Sequence, residues 1–206
     1  MNVGVLVSGE GTNLQALLDA EARGDLAPAT IGVVISNVPT APALARAQRA
    51  HKPAVAIDHK GHTREAFEDL VIAALDGIDL VVLAGFMRVL TPHFLARFPA
   101  RVINTHPSLL PKFPGKDAPA QAIAAGATES GVTVHVVEAV VDAGPTIAQV
   151  RVPVVPGDTA HSLHERIKRE EHVLLPRIVQ QLAAGTIRVQ DGRVTIADVA
   201  PSSRAE

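Results

Sequence analysis

The sequence contains no cysteine, no tryptophan and no tyrosine. The absence of cysteine excludes disulfide bonds, thiolate metal ligands and a cysteine nucleophile. With 5 phenylalanines as its whole Phe/Trp/Tyr content, the chain offers few platforms on which nucleic-acid bases could stack. Its formal net charge of −2 also gives no basic surface for nucleic acid or an anionic membrane. The composition therefore favours a small-molecule substrate as the partner.

Long apolar runs are missing as well. No stretch approaches the ~18 residues that a membrane-spanning helix requires. The apolar run near the start, VGVLVSG, has no basic leader and no cleavage site, so we expect a cytoplasmic protein without a signal peptide. The 206 residues are 47% hydrophobic and 19% charged, which is ordinary globular composition and enough for one substantial domain.

Short apolar runs alternate with helical patterns in the first half of the chain. The runs predict buried parallel strands at 3–7, 31–36, 54–57, 80–84 and 101–105. Later, GVTVHVVEAVVDAGPTIAQVRVPV predicts two antiparallel strands joined by an Asp-Ala-Gly-Pro turn. A long helix is expected from about 159 to 184, capped by Asp158 or Thr159 and stopped by Gly185. We therefore predict an α/β fold with a doubly wound, mostly parallel, Rossmann-like sheet, followed by an antiparallel strand pair and a long C-terminal helix.

The first candidate site is the stretch VLVSGEGTNLQALL, residues 5–18. A strand ends there, Gly9 and Gly11 allow a tight turn, and a helix begins near Asn13. Backbone N–H groups at a helix start favour a bound phosphate. The stretch lacks the third glycine of the dinucleotide fingerprint and the Gly-Lys-Ser/Thr of a P-loop. A plain strand-to-helix turn is the alternative, but the position at the carboxyl end of the first strand favours phosphate binding.

The second candidate site is the stretch RVINTHPSLLPKFPG, residues 101–115. Asn104 and His106 are two residues apart, so both side chains project from the same face of a strand. An asparagine amide can donate to a developing oxyanion, and a histidine can take up and return a proton. The alternative is a polar pair that only caps a strand.

Asp142, which precedes Ala-Gly-Pro, is either a turn residue or the third member of an acyl-transfer group. Asn104, His106 and Asp142 include no serine or cysteine nucleophile. Such a group points to direct attack by a substrate amine or by water, without a covalent enzyme intermediate.

The chain resembles the phosphoribosylglycinamide formyltransferase family of folate-dependent enzymes nearly end to end. The matching segments are VLVSGEGTNLQAL, SN, REAF, DLVVLAGFMRVLTP, INTHPSLLPKFPG, GVTVHVV, VDAGPTIAQ, VPV, GDTAHSLHERI and EEHVLLP. The N-x-HPSLLP motif with D-x-GP is specific to folate formyltransferases, and the SGxG[ST]N start indicates the glycinamide ribonucleotide branch. The resemblance implies transfer of a formyl group from 10-formyltetrahydrofolate to the amine of glycinamide ribonucleotide in de novo purine synthesis, without a metal.

The resemblance also implies a role for each site residue. Gly11, Thr12 and Asn13 would bind the phosphate of the ribonucleotide, and Glu171 would hydrogen-bond its ribose. The folate site would be lined by Arg64, Met87, Arg88, Val89, Leu90 and Asn104, mostly through backbone amides. Asn104, His106 and Asp142 would be catalytic. His135 alternates with Val134 and Val136, and we interpret it as a residue behind the catalytic group, with a histidine satisfied within the sheet as the alternative. We expect a single domain over 1–198, with a nucleotide-binding half at about 1–100, a catalytic and folate half at about 101–198, and a loose tail at 199–206. The expected assembly is a monomer or a homodimer.

Two positions depart from the family pattern. Asp117 stands where the family often has a histidine, and its stretch is closer to the methionyl-tRNA formyltransferase pattern. Ala143 replaces a glycine that could require a positive φ. The alternatives are therefore a methionyl-tRNA formyltransferase, a formyltetrahydrofolate hydrolase, or a non-catalytic nucleotide-binding module. The tRNA enzyme would bring a further domain with a basic surface and the hydrolase a regulatory domain. A length of 206 residues and a charge of −2 favour neither.

Overall fold

The structure, a computed structural model, describes residues 1–190 and 192–197. The strands are β1 (Asn2–Val7), β2 (Thr30–Ser36), β3 (Ala54–Ala56), β4 (Leu80–Leu83), β5 (Val102–His106), β6 (Glu129–Val136), β7 (Thr146–Pro153), β8 (Ile187–Gln190) and β9 (Arg193–Ile196). The helices are α1 (Thr12–Arg23), α2 (Pro42–Arg49), α3 (Arg64–Ala74), α4 (Pro92–Arg97), α5 (Ala118–Ala124) and α6 (Ala160–Ala183). The predicted tail at 199–206 and residue 198 lie outside the described residues.

The main sheet has seven strands in the order β3-β2-β1-β4-β5-β6-β7. Strands β1 to β5 pair in parallel, and β6 and β7 extend the sheet beyond β5 as two antiparallel strands. The predicted doubly wound α/β fold is confirmed, including the antiparallel pair and the long helix. The chain moves outward from β1 to β3 and returns to β4 on the other side of β1. This reversal opens a crevice at the carboxyl ends of β1 and β4, where ligands bind in such sheets.

The sheet separates two hydrophobic cores because side chains alternate along each strand. The first core packs the sheet against α1, α2, α5 and α6, and the second packs it against α3 and α4. In β5, Ile103 belongs to the first core and Val102 to the second. Alternation therefore places Asn104 and His106 on the α3 and α4 face, and Thr105 on the α6 face. Strand β5 thus contributes polar side chains to both faces of the sheet beside the crevice.

Helix α6 lies against α1 with one apolar face buried. Its N-cap is Thr159, which forms a capping box with Ser162, and Gly185 follows the helix with φ 73°. Glu171 interrupts the buried face with a carboxylate that is 4% exposed. Within residues 1–190 and 192–197, no helix combines the length and the apolar character needed to cross a bilayer.

Candidate active site

The glycine loop, residues 9–13, is held closely against α2. Gly11 has φ 72°, and a Cβ at this position would lie 2.6 Å from the Cβ of Ala43. The Ala43 N–H donates to the Gly9 carbonyl at 3.1 Å, and Arg46 Nε donates to the Glu10 carbonyl at 2.7 Å. Among the residues that the structure describes, no side chain caps the start of α1. Glycine is therefore required for both conformation and space, and the first N–H groups of α1 remain open to a ligand.

Glu171 connects the glycine loop to β5. Asn13 Nδ2 donates to Glu171 Oε2 at 3.4 Å, and Thr105 Oγ1 donates to Glu171 Oε1 at 3.3 Å. Burial raises the pKa of the Glu171 carboxyl, although the hydrogen bonds from Asn13 and Thr105 oppose this shift. The Oδ1 atom of Asn13 is buried without a hydrogen-bond partner among the described residues. The structure thus brings the predicted ribonucleotide residues together in one place.

His106 and Asp142 meet at the end of β5. His106 is 5% exposed, its Nε2 donates to the Phe113 carbonyl at 2.9 Å, and its Nδ1 lies 3.4 Å from Asp142 Oδ2. The Gly115 N–H donates to the same Asp142 oxygen at 2.7 Å. The loop after Pro107 therefore turns back so that one backbone carbonyl and one carboxylate hold the imidazole from two directions.

Asp142 adopts a left-handed conformation with φ 55°. Burial would raise the pKa of its carboxyl, but contacts with His135, the Gly115 N–H and His106 lower it below its ordinary value of 3.8. Asp142 is therefore ionised at neutral pH. Ala143 is not among the residues with positive φ, so the replacement of glycine there does not strain the turn. Gly144 is the position that needs glycine, because a Cβ would lie 2.0 Å from the Val136 carbonyl.

His135 lies opposite Asn104 in the β5–β6 pairing. Its Nδ1 donates to the Val136 carbonyl at 2.9 Å, which fixes the tautomer of the neutral ring. Its Nε2 lies 3.2 Å from Asn104 Nδ2 and 3.5 Å from Asp142 Oδ1. The neutral ring accepts a hydrogen bond from Asn104, and the protonated ring is attracted to Asp142. His135 thus lies behind the group and connects two of its members.

The predicted folate residues lie on the α3 and α4 face. Arg64 is the first residue of α3, and residues 87–90 follow β4 without regular secondary structure. The Arg88 guanidinium lies 5.1 Å from the centre of the Phe67 ring. Met87 and Val89 are exposed, whereas Leu90 is buried. These residues are on the same side of the sheet as Asn104 and His106.

A family model for the formyl transferases matches residues 1–179. The chain belongs to the formyl transferase family. The human trifunctional purine biosynthetic protein adenosine-3 is 43% identical over 196 residues, which cover 93% of this chain but 19% of that protein. The phosphoribosylglycinamide formyltransferase of Haemophilus influenzae is 39% identical over 192 residues, which cover 92% of this chain and 90% of that protein.

Solved structures agree with this assignment. The crystal structure of glycinamide ribonucleotide transformylase 1 from Symbiobacterium toebii has a TM-score of 0.93 and 44% identity, covering 96% of this formyl transferase and 94% of that chain. The phosphoribosylglycinamide formyltransferase from Coxiella burnetii, solved with CHES, has a TM-score of 0.90 and 42% identity, covering 95% and 93% of the two chains. The predicted family resemblance is confirmed.

Two residues of this formyl transferase hold the candidate site without having been predicted from the sequence. Thr105 contacts Glu171 from the opposite face of the strand that carries Asn104 and His106. Strand alternation could have indicated this role. Arg46 supports the glycine loop from α2 through the Glu10 carbonyl. Nothing in the local sequence distinguishes Arg46 from an ordinary surface arginine.

Asp117, the other departure from the family pattern, is exposed at the N-cap of α5 with φ 56° and caps no N–H group. Aspartate tolerates this conformation better than most residues. Within residues 1–190 and 192–197, no three His, Cys, Asp or Glu side chains form a group that could hold a metal ion. That no metal takes part in the reaction stays a prediction.

Proposed function

We propose that this formyl transferase moves the formyl group of 10-formyltetrahydrofolate to the amine of glycinamide ribonucleotide, a step of de novo purine synthesis. The observation that carries the proposal is the match to the Haemophilus influenzae enzyme across 92% of this chain and 90% of that protein. The chain spans only 19% of the length of the human trifunctional protein, and the proposal concerns only the matched part. The matches favour neither a methionyl-tRNA formyltransferase nor a hydrolase.

In the proposed reaction the amine attacks the formyl carbon directly. The new C–N bond forms as the carbonyl oxygen becomes negative, and the Asn104 amide and protonated His106 stabilise that oxyanion. The bond from the formyl carbon to the folate nitrogen then breaks as protonated His106 gives its proton to that nitrogen. The neutral ring takes up the proton that the attacking amine releases. The Asp142 carboxylate, 3.4 Å from His106 Nδ1, orients the ring and balances its charge.

The two substrates occupy opposite sides of β5 in this proposal. Gly11, Thr12 and Asn13 bind the ribonucleotide phosphate through the open start of α1, and Glu171 binds the ribose. Arg64, residues 87–90 and Asn104 line the folate site on the other side. This arrangement is supported by the alternation along β5, which directs Thr105 to Glu171 and the catalytic pair to the other face. A cytoplasmic location and a monomeric or homodimeric state stay predictions.

Product identity tests the proposed function. The protein is mixed with 10-formyltetrahydrofolate and, in separate reactions, with glycinamide ribonucleotide, methionyl-tRNA or buffer alone, and the products are identified by mass spectrometry. We expect formylation of glycinamide ribonucleotide only. Formyl-methionyl-tRNA, free formate at a comparable rate, or no product in any reaction would overturn the proposal.

We expect Asn13→Asp to raise the KM for glycinamide ribonucleotide by about 10-fold or more, with little change in the folate KM. The substitution adds a negative charge beside the proposed phosphate site, and Glu171 already lies 3.4 Å from the Asn13 amide. Steady-state kinetics with each substrate varied in turn measures both constants. An equal rise in the two KM values would show that the glycine loop does not bind the phosphate.

We expect Glu171→Gln to weaken ribonucleotide binding while stabilising the fold at neutral pH. Because burial raises the pKa of Glu171 in the folded state, the ionised carboxylate lowers stability as pH rises above its ordinary value of 4.5. Glutamine removes that cost, so the melting-temperature gain should be larger at pH 8 than at pH 5. The ribonucleotide KM should rise about 10-fold, as for a lost hydrogen bond to a charged group.

The neighbouring Glu170→Gln substitution, on the same helix, is the control for Glu171→Gln. It should leave both the melting temperature and the ribonucleotide KM close to their native values. An unchanged KM in Glu171→Gln would reduce this residue to a structural link between Asn13 and Thr105.

A further inference from the structure

Ser8, at the carboxyl end of β1, holds the start of the 87–90 segment. The Met87 N–H donates to Ser8 Oγ at 2.8 Å, and the Ser8 hydroxyl donates to Asn37 Oδ1 at 2.6 Å. Asn37, which follows β2, is 3% exposed and contacts His59 through its amide. The Ser8 hydroxyl therefore donates its only proton to Asn37, and its oxygen accepts the hydrogen bond from the Met87 N–H.

Glu68, on α3, holds the other end of the segment. This carboxylate is 1% exposed and accepts hydrogen bonds from the Thr91 N–H at 2.8 Å and from the Thr91 hydroxyl. Thr91 is also the N-cap of α4, where its hydroxyl accepts from the Phe94 N–H. The burial of a carboxylate is costly unless hydrogen bonds compensate it, and both of its oxygens are used on one residue of this loop.

Three backbone N–H groups lie between the two anchors. Within the described part of the chain, the N–H groups of Arg88, Val89 and Leu90 have no hydrogen-bond partner. Leu90 is 5% exposed, and an unpaired N–H in such a place is unfavourable without a ligand. The segment is thus tied at positions 87 and 91 and offers consecutive donors between them.

We propose that Ser8 and Glu68 are positioning residues for folate binding, which hold the 87–90 segment so that its free N–H groups meet the hydrogen-bond acceptors of the pterin ring. Neither side chain contacts the folate. Ser8 directly precedes the glycine loop that is proposed to bind the ribonucleotide, so it sets the position of the folate segment relative to that loop. This inference rests on the proposed function.

The test uses Ser8→Ala and Glu68→Gln, each with a matched control. Ser162 has the same hydrogen-bond pattern as Ser8, because its hydroxyl accepts from the Thr159 N–H at 2.9 Å and donates to Asp158 at 2.8 Å, but it lies at the start of α6. Glu21 is a largely buried carboxylate that accepts from the Ile31 N–H at 2.9 Å, where β2 begins, and also pairs with Lys52 at 2.7 Å. Ser162→Ala and Glu21→Gln therefore disturb comparable hydrogen bonds far from the folate segment, and the Glu21 variant loses an ion pair as well.

Binding of tetrahydrofolate and of glycinamide ribonucleotide is measured separately by calorimetry, and kcat is measured at saturating folate. We expect Ser8→Ala and Glu68→Gln to weaken tetrahydrofolate binding by about 5–20-fold, the effect of one or two hydrogen bonds. Ribonucleotide binding and kcat should stay within about 3-fold of native, since the catalytic group is intact. The two control variants should bind both ligands as the native protein does.

Several outcomes separate this inference from the proposed function. If the native protein formylates the ribonucleotide and binds tetrahydrofolate, but both test variants bind it normally, the positioning role is wrong and the function stands. Equal weakening of both ligands, or the same weakening in the controls, would show a general effect on packing and would also overturn the role. A native protein that neither binds tetrahydrofolate nor transfers formyl contradicts the proposed function itself.

Discussion

Replacing His106 with alanine should lower kcat by about 10²–10⁴-fold, with the KM of each substrate within a few-fold of native. The loss falls on kcat because the imidazole acts on the proton and the oxyanion, which change during the reaction, and not on groups that bind the ground state. The structure buries His106 and fixes its ring between the Phe113 carbonyl at 2.9 Å and the Asp142 carboxylate at 3.4 Å.

The chain offers a matched control for His106 in a second histidine–aspartate pair. His93 Nε2 lies 2.7 Å from Asp69, but the two side chains are 46% and 64% exposed. His93→Ala should therefore leave kcat close to native. Steady-state kinetics and a thermal melt of both variants separate loss of chemistry from loss of folding. A folded His106→Ala protein with near-native kcat would remove His106 from the catalytic group.

The convergence of the candidate site could be predicted from the sequence because parallel strands end at one edge of the sheet. The glycine loop follows β1, the 87–90 segment follows β4, and the Asn104–His106 pair ends β5. Apolar runs locate those strands, and the sheet order then brings their ends together. Helix α6 could also be predicted, because its periodic apolar face and the Thr159 cap indicate the same helix start.

The hydrogen bonds that hold the site together could not be predicted from the sequence in this way. Ser8 and Met87 are joined by one hydrogen bond, but no local pattern in either stretch indicates the other. Helix α4 has a Thr91-Pro92 start signal, yet at 6 residues it is too short to show a helical period. The β8–β9 hairpin had no predicted counterpart either. Such features depend on contacts between distant residues, which strand and helix periodicity does not contain.

The conformation of the Asp142 turn is a further feature that only the structure shows. The sequence raises the question of a positive φ at Ala143, where glycine is usual, but the positive φ belongs to Asp142 itself. Aspartate tolerates the left-handed region through its short polar side chain. The turn role and the proposed catalytic role therefore fall on one residue, and a substitution has to separate them.

Asp142→Asn makes that separation, because asparagine tolerates the same backbone conformation and keeps the side-chain shape. We expect a folded protein with kcat lower by at least ~10²-fold, in line with contributions from acid–base catalysis. The carboxylate lies 3.4 Å from His106 Nδ1, where it orients the ring and balances the charge that the ring carries in the proposed reaction. Steady-state kinetics measures kcat, and a thermal melt confirms that the variant is folded.

Acid stability gives a second measurement on the same variant. The pKa of Asp142 is lowered in the folded state, so its carboxylate adds stability above its ordinary value of 3.8, and this contribution disappears as pH falls through the folded pKa. Asp142→Asn lacks that contribution, so its melting temperature should fall less than the native one between pH 7 and pH 3. This difference is expected only if the carboxylate is paired as in the structure.

Asp117 is the matched control for the turn. Its φ of 56° is close to the 55° of Asp142, but its side chain is exposed and caps no N–H group. Asp117→Asn therefore makes the same replacement at a similar backbone conformation without removing a charge from the site, and should keep native kcat. If Asp142→Asn also keeps native kcat, Asp142 is only a turn residue, and Asn104 and His106 form the catalytic group alone.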